Sequence, residues 1–151
     1  MTESPTILVV DDEDLIRWSL SERLRSEGCT VVEATDGKTA LERASDDVDL
    51  ALLDYRLPDT DGLTLLRHLK KGNPRLMAVL LTAYATAETA VEAREAGAFH
   101  LERKPFDLDE VVLLVRGALE AAGRAHGMNV SEGAGPRAAS AGPSCRRRTW
   151  R

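Results

Sequence analysis

Hydrophobic side chains along this chain gather in five short runs, Thr6 to Val10, Thr30 to Ala34, Leu50 to Leu53, Met77 to Thr82 and Ala98 to Leu101, rich in Val, Ile and Leu and continuous rather than alternating. A strand exposed on one face would alternate apolar and polar residues, so continuous runs of this length indicate parallel strands covered on both faces. Between the runs the spacing becomes helical: Ile16, Leu20 and Leu24; Ala40, Leu41 and Ala44; Leu63, Leu66 and Leu69; Ala87, Ala90 and Val91; then Leu108, Val111, Val112, Val115 and Leu119. Strand followed by helix, five times over, requires right-handed crossovers and predicts a doubly wound α/β domain. Gly28, Gly37, Gly62, Gly97 and the Asn73-Pro74 pair stand where helices are expected to stop or strands to start. The fourth helix has only Ala87, Ala90 and Val91 as expected inward residues, which bury little area and anchor it weakly. On the last helix Leu113 falls opposite the apolar stripe, with Leu114 at its flank, which leaves an apolar edge.

A chain of 151 residues with 43% hydrophobic and 30% charged side chains has room for one ordinary domain. Its net charge of −5 conceals an asymmetry: residues 124–151 carry six Arg against one Glu, net +5, which leaves −10 for residues 1–123. The expected organisation is a folded domain over 1–123, then a disordered basic Gly, Ala, Pro and Arg-rich tail over 124–151 that lacks apolar side chains to offset the entropy of folding. An acidic body repels nucleic acid, and the terminal CRRRTWR reads as a solvated end, so direct DNA binding by this chain is not expected. Cys29 and Cys145 stand too far apart to suggest a disulfide framework or a metal motif, and a reducing, cytoplasmic setting fits them. No basic leader and no apolar stretch near the roughly 20 residues of a membrane span occur, so no membrane contact is expected.

Open α/β sheets collect their functional groups just past the carboxyl ends of the strands. Here those positions hold Asp11 and Asp12 after the first run, Asp54 after the third, Thr82 at the end of the fourth, and Lys104 with Pro105 after the fifth. Three carboxylates brought together repel one another and recruit a cation, and hard oxygen ligands suit Mg²⁺. A hydroxyl from Thr82 and a positive charge from Lys104 are what the oxygens of a phosphoryl group require, and Asp54 is then the natural nucleophile for an acyl phosphate.

The segments ILVVDDED, LLDYRLPDTDG, LLTAYA and ERKPFDLDE, in this order and at this spacing, resemble the receiver domains of bacterial two-component response regulators over roughly residues 6–120. The resemblance implies a flavodoxin-like fold, a five-stranded parallel sheet in order 2-1-3-4-5 with five helices. It implies that Asp54 takes a phosphoryl group from a sensor histidine kinase or phosphotransfer protein. Asp12, Asp54 and the backbone carbonyl of Arg56 would bind Mg²⁺, with Asp11 supporting it through water, while Thr82 and Lys104 would bind the phosphoryl group. It also implies a cis peptide between Lys104 and Pro105. The output face would be the fourth helix, fifth strand and fifth helix, which could also support a homodimer. IRWSL and GAFHLERKPFDLDEVVLLV are closest to receivers of NtrC-type enhancer-binding transcription activators. Those continue into an ATPase, yet this chain has no GxxxxGK[ST] loop, so a stand-alone or a truncated receiver is expected.

One position departs from the family. Leu101 stands where a switching Tyr or Phe is usual, which lowers the contrast between the two states. Tyr84 and Arg56 occupy positions that the resemblance associates with the rate of hydrolysis, and a long-lived phosphoryl state is expected from them. The competing class is an enzyme on the same sheet, an Mg²⁺-dependent aspartyl-phosphate phosphatase or a flavodoxin-like cofactor binder. No DxDx[TV] pair follows a strand, and DDED after the first strand would meet a cofactor phosphate with negative charge. The expectation is therefore a phosphoacceptor with at most slow autophosphatase activity, not a turnover enzyme. Trp18 lies about 200 degrees around the first helix from Ile16, on its solvent side, and His68, His100 and His126 lack companions at metal-ligand spacing.

Overall fold

A computed structural model describes residues 4–123. The basic segment 124–151, with Cys145 and His126, lies outside the described residues. Ten elements alternate strictly: β1 (Thr6–Val10), α1 (Asp14–Ser26), β2 (Thr30–Ala34), α2 (Gly37–Arg43), β3 (Leu50–Asp54), α3 (Gly62–Gly72), β4 (Met77–Thr82), α4 (Ala87–Glu95), β5 (His100–Arg103) and α5 (Leu108–Ala121). The five strands form one parallel sheet in the order β2-β1-β3-β4-β5, the expected doubly wound α/β architecture.

Alternation of side chains across each strand divides the core into two layers. Leu8 and Val10, Ala51 and Leu53, Ala78 and Leu80 face one side, where α2, α3 and α4 contribute Ala40, Leu63, Leu66, Leu69 and Ala93. Ile7 and Val9, Leu50 and Leu52, Val79 and Leu81 face the other, under Leu20 and Leu24 of α1 and Val111, Val115 and Leu119 of α5. The three inner strands are buried on both faces, whereas β2 and β5, at the two edges, are half-exposed along most of their length. Chain ends of the helices are closed locally. Asp36 accepts from Thr39 N at the start of α2, Asp61 from Thr64 N at the start of α3, and Thr86 and Thr89 form a reciprocal capping box at α4.

Four details differ from the sequence expectations. The fifth strand begins at His100 rather than Ala98, because the Ala98 N–H donates to Ala93 O and so finishes α4 after the left-handed turn at Gly97, φ 96°. Gly37 and Gly62 open α2 and α3 instead of ending helices. Leu41 points to solvent beside the buried Ala40. In α4 the expected inward set Ala87, Ala90 and Val91 is exposed, and Ala93 is the buried residue. Small residues lie all around that helix, so its periodicity does not distinguish one face from another.

Candidate functional site

The site is assembled by backbone hydrogen bonds that continue the sheet beyond the strand ends. Tyr55 N–H donates to Leu81 O at 2.8 Å and Lys104 N–H to Thr82 O at 2.7 Å, which aligns the ends of β3, β4 and β5. Asp11 N–H donates to Ala34 O at 3.2 Å at the other side of β1. Residues separated by more than ninety positions therefore meet over the carboxyl edge of the sheet, where carboxylate oxygens of Asp11, Asp12 and Asp54 come within 4.8 Å of one another. Asp11 and Asp54 are buried and Asp12 is exposed.

Lys104 is the internal counter-charge of this cluster. Its Nζ lies 3.1 Å from Asp11 Oδ2, 3.4 Å from Asp54 Oδ1 and 3.7 Å from Glu13 Oε1. Burial lowers the Lys104 pKa, but the carboxylates of Asp11 and Asp54 outweigh it and the net shift is upward, so the ammonium stays charged. Asp54 is pushed up to about 6, first by burial and then by the negative charge of Asp11, against the opposing pull of Lys104 and the Arg56 N–H. That residual repulsion is what a divalent cation would relieve, and a set of hard carboxylate oxygens with one member open to water fits Mg²⁺ by ligand chemistry. Thr82 is buried at the end of β4 and its hydroxyl accepts from Tyr84 N–H at 3.1 Å. Arg56 and Tyr84 meet each other: the guanidinium carbon sits 5.7 Å from the centre of the exposed Tyr84 ring. The Lys104–Pro105 peptide is cis. Leu101 lies on β5, half-buried against the α2–α3–α4 layer and paired in register with Leu80.

Several contributors were not evident from the sequence. Arg17 on α1 donates to the backbone carbonyl of Asp11 at 2.8 Å while bridging Asp14 and Glu33, so it holds the segment that carries two of the carboxylates. Its spacing from Asp14 was the sole hint available. Gly62 is required where α3 passes the Asp54 backbone, since a Cβ there would lie 2.7 Å from Asp54 O. Asp59, in the loop after β3, accepts from Gly37 N–H at 2.8 Å and Lys38 N–H at 2.9 Å, a tie to α2 that no local pattern announces. Outside the site, Cys29 is buried and its thiol is pushed up to about 11 by that burial, which keeps it protonated and unreactive. Trp18 and Leu15 are exposed neighbours on α1. Among the described residues no helix is long and apolar enough to cross a membrane.

Comparison with known proteins agrees with the fold. The family model described as the response regulator receiver domain matches residues 7–116. Regulatory protein AtoC of Escherichia coli (strain K12) is 44% identical over 121 residues, covering 80% of this chain and 26% of that protein. The DNA-binding transcriptional regulator NtrC of the same organism is 41% identical over 114 residues, 75% of this chain and 24% of its own length. The chain thus spans about a quarter of the length of these relatives. Among solved structures, a CheY-like response regulator receiver domain protein from Methanospirillum hungatei JF-1 superposes with a TM-score of 0.76 at 30% identity, covering 80% of this chain and 98% of that one.

Proposed function

This chain belongs to the response regulator receiver family, and from that premise we propose that it is a phosphorylation-switched module whose acceptor is Asp54. The observation that carries the reading is the buried Asp54 carboxylate with Lys104 Nζ at 3.4 Å and the oxygens of Asp11 and Asp12 within 4.8 Å. A carboxylate oxygen of Asp54 attacks the phosphorus of a phosphohistidine on a sensor histidine kinase or phosphotransfer protein. The O–P bond forms as the P–N bond breaks, and the electron pair stays with the departing histidine nitrogen. Asp12, Asp54 and the Arg56 carbonyl would hold Mg²⁺, with Asp11 supporting it through water, and the ion would supply positive charge to offset that of the phosphoryl oxygens and of the ionised acceptor. Lys104 exchanges part of its pairing with Asp11 and Asp54 for a phosphoryl oxygen, and the Thr82 hydroxyl donates to another.

Thr82 turning toward the phosphoryl group withdraws the acceptor of the Tyr84 N–H and so loosens the segment that leads into α4. Because α4 buries Ala93 alone, its displacement costs little and biases the α4-β5-α5 face between two arrangements. Leu101 transmits that change less strongly than a ring would. Exposed Val91 and Leu113 give the same face apolar area for a partner or a second copy of the chain. Arg56 stacked on Tyr84 shields the acyl phosphate from water, which keeps autophosphatase activity slow. Control of transcription through an output module and a cytoplasmic setting go with this reading, and direct DNA binding by the acidic body does not.

Intact-protein mass after incubation with Mg²⁺ and acetyl phosphate, beside Asp54→Asn, tests the assignment. A phosphoryl adduct that requires Mg²⁺ and appears on the parent chain alone is expected. An equal adduct on Asp54→Asn would overturn it.

A further inference from the structure

The loop between β3 and α3 carries Arg56, the residue whose backbone carbonyl the proposed metal site uses. Its first end is tied to the sheet, where Tyr55 N–H donates to Leu81 O at 2.8 Å, and its two ends are closed on each other by Gly62 N–H donating to Tyr55 O at 2.8 Å. Between them the loop's own support is modest: a long bond from Arg56 N–H to Asp54 Oδ1 at 3.4 Å, one from Leu57 N–H to Thr60 O at 3.1 Å, and the pairing of Arg56 with Asp61. Its tip is fastened from outside. Both oxygens of Asp59 are used, Oδ1 by Gly37 N–H at 2.8 Å and Oδ2 by Lys38 N–H at 2.9 Å, across a sequence separation of more than twenty residues.

This contact is not the ordinary cap of α2. Asp36 already performs that role by accepting from Thr39 N–H at 2.7 Å, so the first three helical N–H groups are divided between the helix's own cap and the loop. The fit is close on both sides. A Cβ at Gly37 would stand 2.5 Å from Thr60 Cγ2 and 3.3 Å from Asp59 Oδ1, so only glycine lets the loop tip approach this far. A carboxylate that accepts two N–H bonds at a helix start is a strong, directional tie, because both bonds are charge-assisted.

We infer that Asp59 is a positioning residue for the metal site: by clasping the start of α2 it holds the Arg56 carbonyl where a cation shared with Asp12 and Asp54 can use it. The inference rests on the function proposed above. It extends that proposal by assigning α2, which supplies no ligand, a share in metal affinity. Residues that orient a ligand without touching the ion typically change affinity by factors of ten or more when removed, and a tie one step further out acts more weakly.

The test is calorimetric titration of Mg²⁺ into the unphosphorylated protein and four variants, with amide hydrogen exchange at residues 37 and 38 as a second readout. Asp59→Ala should weaken Mg²⁺ by about threefold to tenfold and speed exchange at those two amides. Asp59→Asn, which keeps one acceptor oxygen, should fall between it and the parent chain. Gly37→Ala attacks the same junction from the other side and should shift affinity in the same direction. Asp36→Ala removes a cap from the same helix without touching the loop and should leave Mg²⁺ affinity unchanged. Unchanged affinity in Asp59→Ala, or an equal loss in Asp36→Ala, overturns the clasp while the metal site stands. Failure of the parent chain to bind Mg²⁺ refutes the proposed site itself and the clasp with it.

Discussion

Helices α3 and α4 pack on the same face of the sheet, and both begin with a well-formed side-chain cap. They differ in what they bury. α3 inserts Leu63, Leu65, Leu66 and Leu69, whereas α4 inserts Ala93 and is followed by the buried Ala96. A buried leucine contributes roughly 2 kcal/mol and an alanine methyl roughly 0.8 kcal/mol, so the two helices are anchored very unequally despite similar ends. The lesson is that caps set where a helix starts, while buried area sets how firmly it is held. The firm helix begins against the backbone of Asp54, and the loose one begins just after Thr82. On the proposed reading, this holds Asp54 on the firmly packed side and leaves the response to the weakly packed one.

The largest effect should come from loosening the firm side. Leu66→Ala, at a position with 0% exposure, should lower stability by about 2–5 kcal/mol in urea denaturation. A loss under about 1 kcal/mol would remove the contrast between the helices, because exposed α4 positions already fall in that range. Next in size is the cost of ionising the buried Asp54 at the end of β3. Asp54 has its ordinary carboxylate value of 3.8 when unfolded and about 6 when folded, so the native state holds the proton more tightly. Its contribution is most favourable below about pH 4 and is lost as pH rises through 6. In chelator, Asp54→Asn should therefore be more stable than the parent chain by about 2 kcal/mol at pH 7, with the difference vanishing near pH 4. Denaturation curves at the two pH values check the sign, and a gain confined to acid would contradict it.

On the loose side, Ala93→Gly should cost about 1.7 kcal/mol through helix propensity and the lost methyl together. Smallest of all, Val91→Ser on the exposed face should change stability by less than about 0.5 kcal/mol while lowering any self-association through the α4-β5-α5 face, as read by sedimentation. A large loss of stability at Val91 would mean that α4 is seated differently from the arrangement described.

Much of this was legible in the chain. β1, β2 and β4 fall on the expected apolar runs residue for residue, and β3 extends its run by Asp54 alone, because short runs rich in Val, Ile and Leu between helical patterns fit the strands of a parallel sheet. Asp11, Asp12, Asp54, Thr82 and Lys104 could be grouped before any coordinates, since parallel strands bring their carboxyl ends to one edge. Other features were not legible. Alanines on several sides of α4 gave its rotation no periodic signature, and the start of β5 depended on whether Ala98 N–H would bond to the helix or to the sheet. The ties from Arg17 to Asp11 O and from Asp59 to the start of α2 join segments that share no local pattern.

By itself the sequence determined what short-range periodicity and strand-end chemistry can encode: the alternation of elements, the two-sided core and the residue types delivered to the carboxyl edge of the sheet. Tertiary structure alone decided which face of α4 turns inward, that Lys104 pairs with Asp11 and Asp54 at once, and that the start of α2 is bonded to the loop that follows Asp54. Those outcomes depend on the distances between segments remote in the chain, and such distances arise only when the whole core closes.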